Sequence, residues 1–200
     1  QGTETPESLK ARDRSGEELT EMSDNYRAGI IGLGFIGGGD QVSGDALGQQ
    51  VVNLDGTHVA AYENHPCIDV VAGSSRDQGR RDRFETRTGA KTYEQWTELL
   101  EKEDFDLISV ATYAPQHAEI VKACATAGIR AIYCEKPIAT KLDDAERMVD
   151  ACKQSGSLLV LNHQRRFNSN CRRLRDYVVA GELGELTSAN LQWGNGRLGN

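Results

Sequence analysis

Arg27-Ala28-Gly29-Ile30-Ile31-Gly32-Leu33-Gly34-Phe35-Ile36-Gly37 is the stretch on which the reading of the fold turns. A short apolar run, Gly29 to Ile31, leads directly into Gly32-x-Gly34-x-x-Gly37. In a doubly wound α/β fold this is the first strand and the turn that follows it. Gly32 permits the tight turn, Gly34 lets the backbone approach a pyrophosphate, and Gly37 lets the next helix pack close on the strand. The helix start adds unpaired N–H groups and a positive dipole end. Gly32, Leu33, Gly34, Phe35, Ile36 and Gly37 are therefore the expected cofactor contacts. A GxGxxG on its own is weak; the buried-type strands that follow give it weight.

Working outward, residues 1–25 are polar and charged with little apolar periodicity, and read as a disordered or extended arm. After Gly37 the spacing leaves the usual pattern. Gly38 to about Gly56 is long and glycine-rich and reads as an insertion in the first crossover, ahead of a short helix at Thr57 to Tyr62. An acidic residue is expected about 20 positions after the glycines. Asp55 fits by count, but Asp55-Gly56 looks like a turn, so Ile68 to Gly73 is the better second strand. That strand ends in Ser74-Ser75-Arg76. A hydroxyl and a guanidinium there suit a 2′-phosphate, which Arg pairs bidentately, so Ser75 and Arg76 favour NADP over NAD. Asp77 follows at once and offers a competing acidic contact.

Arg80 to Thr88 reads as a charged helix. Tyr93, Trp96, Leu99 and Leu100 stand at helical spacing as a core stripe. Asp106 to Ala111 is a nearly continuous apolar run, as parallel strands are, and it delivers Thr112 to His117. Strand C-termini face the ligand crevice, which makes Thr112, Pro115 and His117 candidate cofactor contacts. His117 has a second reading, a locally packed residue opening the helix Ala118 to Ala127. Ile129 to Cys134 is the next strand and delivers Glu135-Lys136-Pro137. Thr140 and Asp143 read as the cap of a helix carrying Leu142, Ala145, Met148, Val149 and Cys152. Leu158 to Leu161 is one more strand. A helix then turns Cys171, Leu174 and Val178 inward, and alternation from Leu186 to Trp193 suggests a strand of a separate antiparallel sheet. The expected division is an arm at 1–25, a Rossmann domain at 26–161 and the start of a second domain at 162–200.

Lys136 stands where chemistry is expected. Its ammonium at a strand end can hydrogen-bond the oxygen of a carbonyl or alcohol and stabilise alkoxide character as hydride moves. Partial burial there would ease proton transfer. Glu135 would hold either the lysine or a cofactor ribose. The bulk numbers narrow the rest. A net charge of −7 argues against nucleic acid or an anionic membrane surface as partner. No apolar run spans a bilayer. The five cysteines include no CxxC pair and no metal-ligand spacing. They read as small core residues in a reducing, cytoplasmic compartment.

The order of elements resembles the glucose–fructose oxidoreductase / inositol dehydrogenase (Gfo/Idh/MocA) family. The resemblance rests on Gly29 to Gly37, Ala111-Thr112 to His117, Cys134-Glu135-Lys136-Pro137, Gln164-Arg165-Arg166-Phe167 and Gly181-Glu182-Leu183-Gly184-Glu185. It implies a Rossmann domain followed by an α/β domain with a mostly antiparallel sheet, a bound NAD(P), sugar-like or cyclitol-like substrates, and homo-oligomers. It maps the family's motif lysine onto Lys136, with a cis proline at Pro137. Arg165 and Arg166 then line the substrate pocket or hold the domain junction. The family's further acidic residue and histidine lie beyond Asn200, so the chain is expected to be a piece of a longer protein. Two rival readings are a cofactor-binding regulator without turnover and an NAD-dependent glycosidase.

Overall fold

A computed structural model of the protein describes residues 25–42, 54 and 56–190. The chain divides into two compact units, one ending at Asn162 and the other beginning at His163. The first holds a six-stranded sheet in the order β3-β2-β1-β4-β5-β6. Its strands are β1 Tyr26–Ile31, β2 Ile68–Ser74, β3 Lys91–Tyr93, β4 Leu107–Val110, β5 Ala131–Cys134 and β6 Leu158–Leu161. Every neighbouring pair runs parallel. The helices between them are α1 Phe35–Gly38, α2 His58–Glu63, α3 Gln78–Thr88, α4 Trp96–Lys102, α5 His117–Thr126 and α6 Leu142–Ser155. This is the doubly wound strand order, with its switch point between β1 and β4.

The apolar run of β1 is continuous because both of its faces are covered. Ile30 packs with Val59 and Tyr62 of α2 and Phe84 of α3. Its neighbour Ile31 joins the opposite cluster, with Leu99 of α4, Ile120 and Val121 of α5 and Met148 of α6. Both isoleucines are essentially inaccessible, and burying such a side chain stabilises by about 1.5–3 kcal/mol. Local signals set the ends of the helices. Thr57 caps α2 by accepting from Ala60 N, Asp77 caps α3 by accepting from Arg80 N, and Gly89 and Gly156 end α3 and α6 in the left-handed region.

Two expectations are corrected here. Tyr93 belongs to the three-residue strand β3, paired through Ala72↔Lys91 to Ser74↔Tyr93, and the helix begins only at Trp96. Tyr93 and Trp96 are three apart, which mimics one helical face. Thr140 and Asp143 form no cap, since α6 starts at Leu142 with Lys141 before it and no side-chain cap bond. Asp143 and Asp144 instead sit in its first turn, where carboxylates complement the helix dipole. Asp55, most of the expected insertion and residues 1–24 lie outside the described residues.

In the second unit a 3₁₀ turn, Gln164–Arg166, precedes α7 Ser169–Val179, which Asn168 caps by accepting from Asn170 N and Cys171 N. The apolar face of α7 was expected inward, yet Cys171, Leu174 and Val178 are all exposed, because no described element lies over them. Residues 186–190 form no strand, and 191–193 lie outside the described residues. Among the described residues no helix is long and apolar enough to cross a membrane.

Candidate dinucleotide-binding site

The carboxyl ends of β1, β2 and β4 meet around a cavity of about 480 Å³. The turn after β1 shapes one wall. Gly32 has φ +103, and a Cβ on it would stand 2.5 Å from the Ala111 carbonyl. Gly37 faces back onto the same turn, where a Cβ would meet Gly32 O at 2.0 Å. Gly32 N–H donates to Ser74 O at 3.0 Å and Ala111 N–H to Ile31 O at 2.8 Å, so the three strand ends are stitched side by side. Gly34 stands at the N-cap of α1.

The structure sorts the expected site residues into three groups. Gly32, Leu33, Gly34, Phe35, Ile36, Ser75, Arg76 and Thr112 line the cavity together. Thr112 lines the cavity, and its hydroxyl is buried and makes no hydrogen bond in the structure, an unsatisfied polar group beside the site. Gly37, Pro115, His117, Glu135 and Lys136 do not line it. Gly37 acts through packing. Arg165 and Arg166 lie in the second unit, in its 3₁₀ turn, and are exposed.

The wall from β2 and α3 carries the charge. Arg76 is exposed on the rim, and Arg80 joins the lining. Asp77 also lines the cavity, but its carboxylate is engaged as the α3 cap, accepting from Arg80 N at 2.9 Å. Glu94 is a second carboxylate of the lining, and Arg80 is a cation that sequence reasoning left in the body of a charged helix. Asp40 is buried just beyond α1. It takes a two-pronged bond from Arg83, at 3.0 and 3.1 Å, with Arg80 Nε at 3.5 Å. Arg87 donates to the Gly38 carbonyl. Thus α3 clamps the chain where it leaves the glycine turn.

His117 takes the second of its two expected roles. It is fully buried, with Nδ1 2.9 Å from Pro137 O and Nε2 3.0 Å from Thr112 O. With both ring nitrogens on backbone carbonyls it has no reach to the cavity. It ties the end of β4 to the loop after β5. That loop carries Lys136, whose side chain is exposed rather than partly buried, and the Lys136–Pro137 bond is cis.

Glu135 is buried behind the lysine, and protein groups occupy both its oxygens. Oε1 accepts from His58 Nε2 at 3.0 Å and from the Asn162 amide, and Oε2 accepts from the Lys136 N–H at 3.1 Å. Burial pushes its carboxyl up, but the bonds from His58 and Asn162, the His58 charge and the Lys136 N–H together hold it below the usual range. Its bond to residue 136 comes from the backbone N–H and not from the lysine ammonium. Sequence reasoning missed His58 and Asn162 entirely.

An all-parallel sheet in this order, with a glycine-walled cavity at its switch point, defines a dinucleotide-binding α/β domain. Residues 26–163 match the family model described as "Oxidoreductase family, NAD-binding Rossmann fold" (GFO_IDH_MocA). The chain belongs to that family. The myo-inositol 2-dehydrogenase of Thermotoga maritima is 32% identical over 163 residues, covering 80% of this chain and 42% of that protein. A crystal structure of a 3-ketoreductase from Actinomadura kijaniata in complex with NADP superimposes with a TM-score of 0.65 at 28% identity, covering 81% of this chain and 46% of the other. The WlbA dehydrogenase from Bordetella pertussis, in complex with NADH and UDP-GlcNAcA, gives 0.68 at 25% identity, covering 83% and 42%. The chain spans less than half the length of the curated relatives it matches.

Proposed function

We propose that this chain is the dinucleotide-binding part of an NAD(P)-dependent oxidoreductase acting on a secondary alcohol or carbonyl of a sugar, cyclitol or related polyol. The carrying observation is one edge of the sheet. The glycine-walled cavity opens there, and Lys136 stands at the end of β5 on the same edge. A bound nicotinamide supplies or accepts the hydride. Lys136 hydrogen-bonds the reacting oxygen and stabilises the charge that develops on it. The residues fit a dinucleotide: two glycines leave no room for a side chain where the backbone must come close, and Thr112 offers an unused hydroxyl. Arg165 and Arg166, exposed in the second unit, are candidate substrate contacts.

NADP is the preferred form. Ser75 stands where an acidic residue would grip the adenosine ribose, Asp77 is engaged as a cap, and Arg76 is placed at the rim for a 2′-phosphate. The relatives named above are a dehydrogenase acting on inositol, a ketoreductase and a dehydrogenase. That company supports the oxidoreductase over a regulator or a glycosidase. The test is to incubate the full-length protein with myo-inositol and a panel of related polyols, each with NADP⁺ and with NAD⁺, and to follow nicotinamide reduction by absorbance. Reduction that requires the polyol supports the assignment. Binding of cofactor with no reduction by any polyol, and no oxidation of NADPH by the matching ketones, rejects it.

A further inference from the structure

The structure assigns His58 and Asn162 as positioning residues for Lys136, acting through the carboxylate of Glu135. The assignment rests on Lys136 being the group that meets the reacting oxygen. Six side chains form a buried polar cluster beneath the carboxyl ends of β4, β5 and β6. Tyr62 O–H and Ser109 Oγ are in hydrogen-bond contact. Ser109 Oγ lies 2.9 Å from His58 Nδ1. His58 Nε2 lies 3.0 Å from Glu135 Oε1, the Asn162 amide bonds the same oxygen, and Tyr133 O–H donates to Asn162 Oδ1 at 2.6 Å. The His58 ring also packs on Tyr133, with centroids 4.8 Å apart.

The bonds that reach Glu135 have a fixed direction. Glu135 is held below the usual carboxylate range, so it is an anion and only accepts. His58 must then donate from Nε2, and Asn162 from its amide. Burial pushes the Tyr62 phenol up to about 12, so it keeps its proton beside Ser109. Both side-chain donors on Glu135 Oε1 come from His58 and Asn162, and its second oxygen holds the Lys136 N–H. His117 holds the Pro137 carbonyl from the other side. The backbone under Lys136 is thus fixed by side chains, whereas the lysine head is exposed. A reacting group displaced by about 1 Å loses on the order of a hundredfold in rate, so a fixed base under an exposed head has a use in a hydride-transfer site.

The first readout is amide hydrogen exchange, which needs neither cofactor nor substrate. In the His58→Phe protein the Lys136 amide is expected to exchange at least roughly tenfold faster, while the amides of Ile132 and Val110 change by less than about threefold. His58→Gln, which sets an amide N–H near the place of Nε2, recovers most of that loss. Equal acceleration at all three amides means a general structural role and overturns the assignment, as does no change at Lys136. If His58→Phe does not fold, Asn162→Ala carries the same measurement.

The second readout is turnover of myo-inositol by the full-length protein. His58→Phe lowers kcat on the order of tenfold to a hundredfold, and adds little further loss to Lys136→Ala. Full additivity of the two losses overturns the positioning role. Near-normal turnover by Lys136→Ala refutes the role of the lysine itself, and the exchange experiment then reads the cluster independently.

Discussion

Gly37 lies against the carbonyl of Gly32, so close that a Cβ would come within 2.0 Å of that oxygen and 2.8 Å of Ala111 Cβ. The neighbours are backbone and a strand-end alanine, which cannot swing aside as a flexible side chain does. Gly37→Ala should therefore destabilise the domain by about 2–3 kcal/mol through overpacking. It should also weaken dinucleotide binding, because the turn that would move is the cavity wall. Urea unfolding followed by circular dichroism, with a cofactor fluorescence titration, checks both. An unchanged midpoint would mean that the turn accommodates a methyl group.

Ser75→Asp sets a carboxylate at the end of β2, beside the rim guanidinium of Arg76. It should swing the ratio of NADPH to NADH affinity toward NADH by roughly tenfold, through repulsion of the 2′-phosphate and pairing with the ribose hydroxyls. A fluorescence titration with each reduced cofactor measures the ratio. A constant ratio removes Ser75 and Arg76 from the cofactor assignment.

Lys136→Ala in the full-length protein should lower kcat on the order of 10²–10⁴-fold. The lysine does not line the cavity, so cofactor Kd should move by less than roughly threefold. Parallel loss of both would place Lys136 in cofactor binding instead.

The buried carboxylate makes stability depend on pH with a definite sign. The Glu135 carboxyl is lower in the folded protein than in the unfolded chain. Its contribution is complete above the unfolded value of about 4.3 and is lost as the pH falls through the folded value. Glu135→Gln should thus be less stable than the parent at neutral pH, and the gap should narrow as the solution is acidified below about pH 4. Urea midpoints for both proteins across that range test it. A gap that stays constant would mean that shape, not charge, is what the site needs.

The thiols should separate into two classes. Cys67 and Cys171 are exposed, whereas Cys124, Cys134 and Cys152 are buried. Burial pushes the Cys124 and Cys134 thiols up to about 12 and raises that of Cys152 as well. Native protein at neutral pH should react with iodoacetamide at Cys67 and Cys171 alone, and at all five positions once unfolded. Peptide mass spectrometry locates the adducts.

What could be read from the sequence divides along the range of the interactions involved. Gly32 and Gly37 were legible because a turn and its following helix are local, and a glycine there has few other uses. The long strands were legible because a strand covered on both faces must be apolar throughout, as Ile30 and Ile31 are. Lys91-Thr92-Tyr93 was not, because an edge strand of three residues has neither a run nor an alternation to display. The charged helix α3 gave no hint that Arg80, Arg83 and Arg87 turn toward Asp40, Gly38 and the cavity, since helical periodicity says which residues share a face and not what lies opposite. His58 was invisible for a related reason. Its partners Ser109 and Glu135 are 51 and 77 residues away, and only the folded sheet brings them together.

The crossover after the glycine turn is anchored at each end separately. On one side Arg83 grips Asp40. On the other the Thr57 hydroxyl donates to the Leu54 carbonyl at 2.7 Å, and His58 is locked into the cluster under the sheet. The two fastenings share no side chain, so either can be cut by a single substitution while the other still reports on its own half of the crossover.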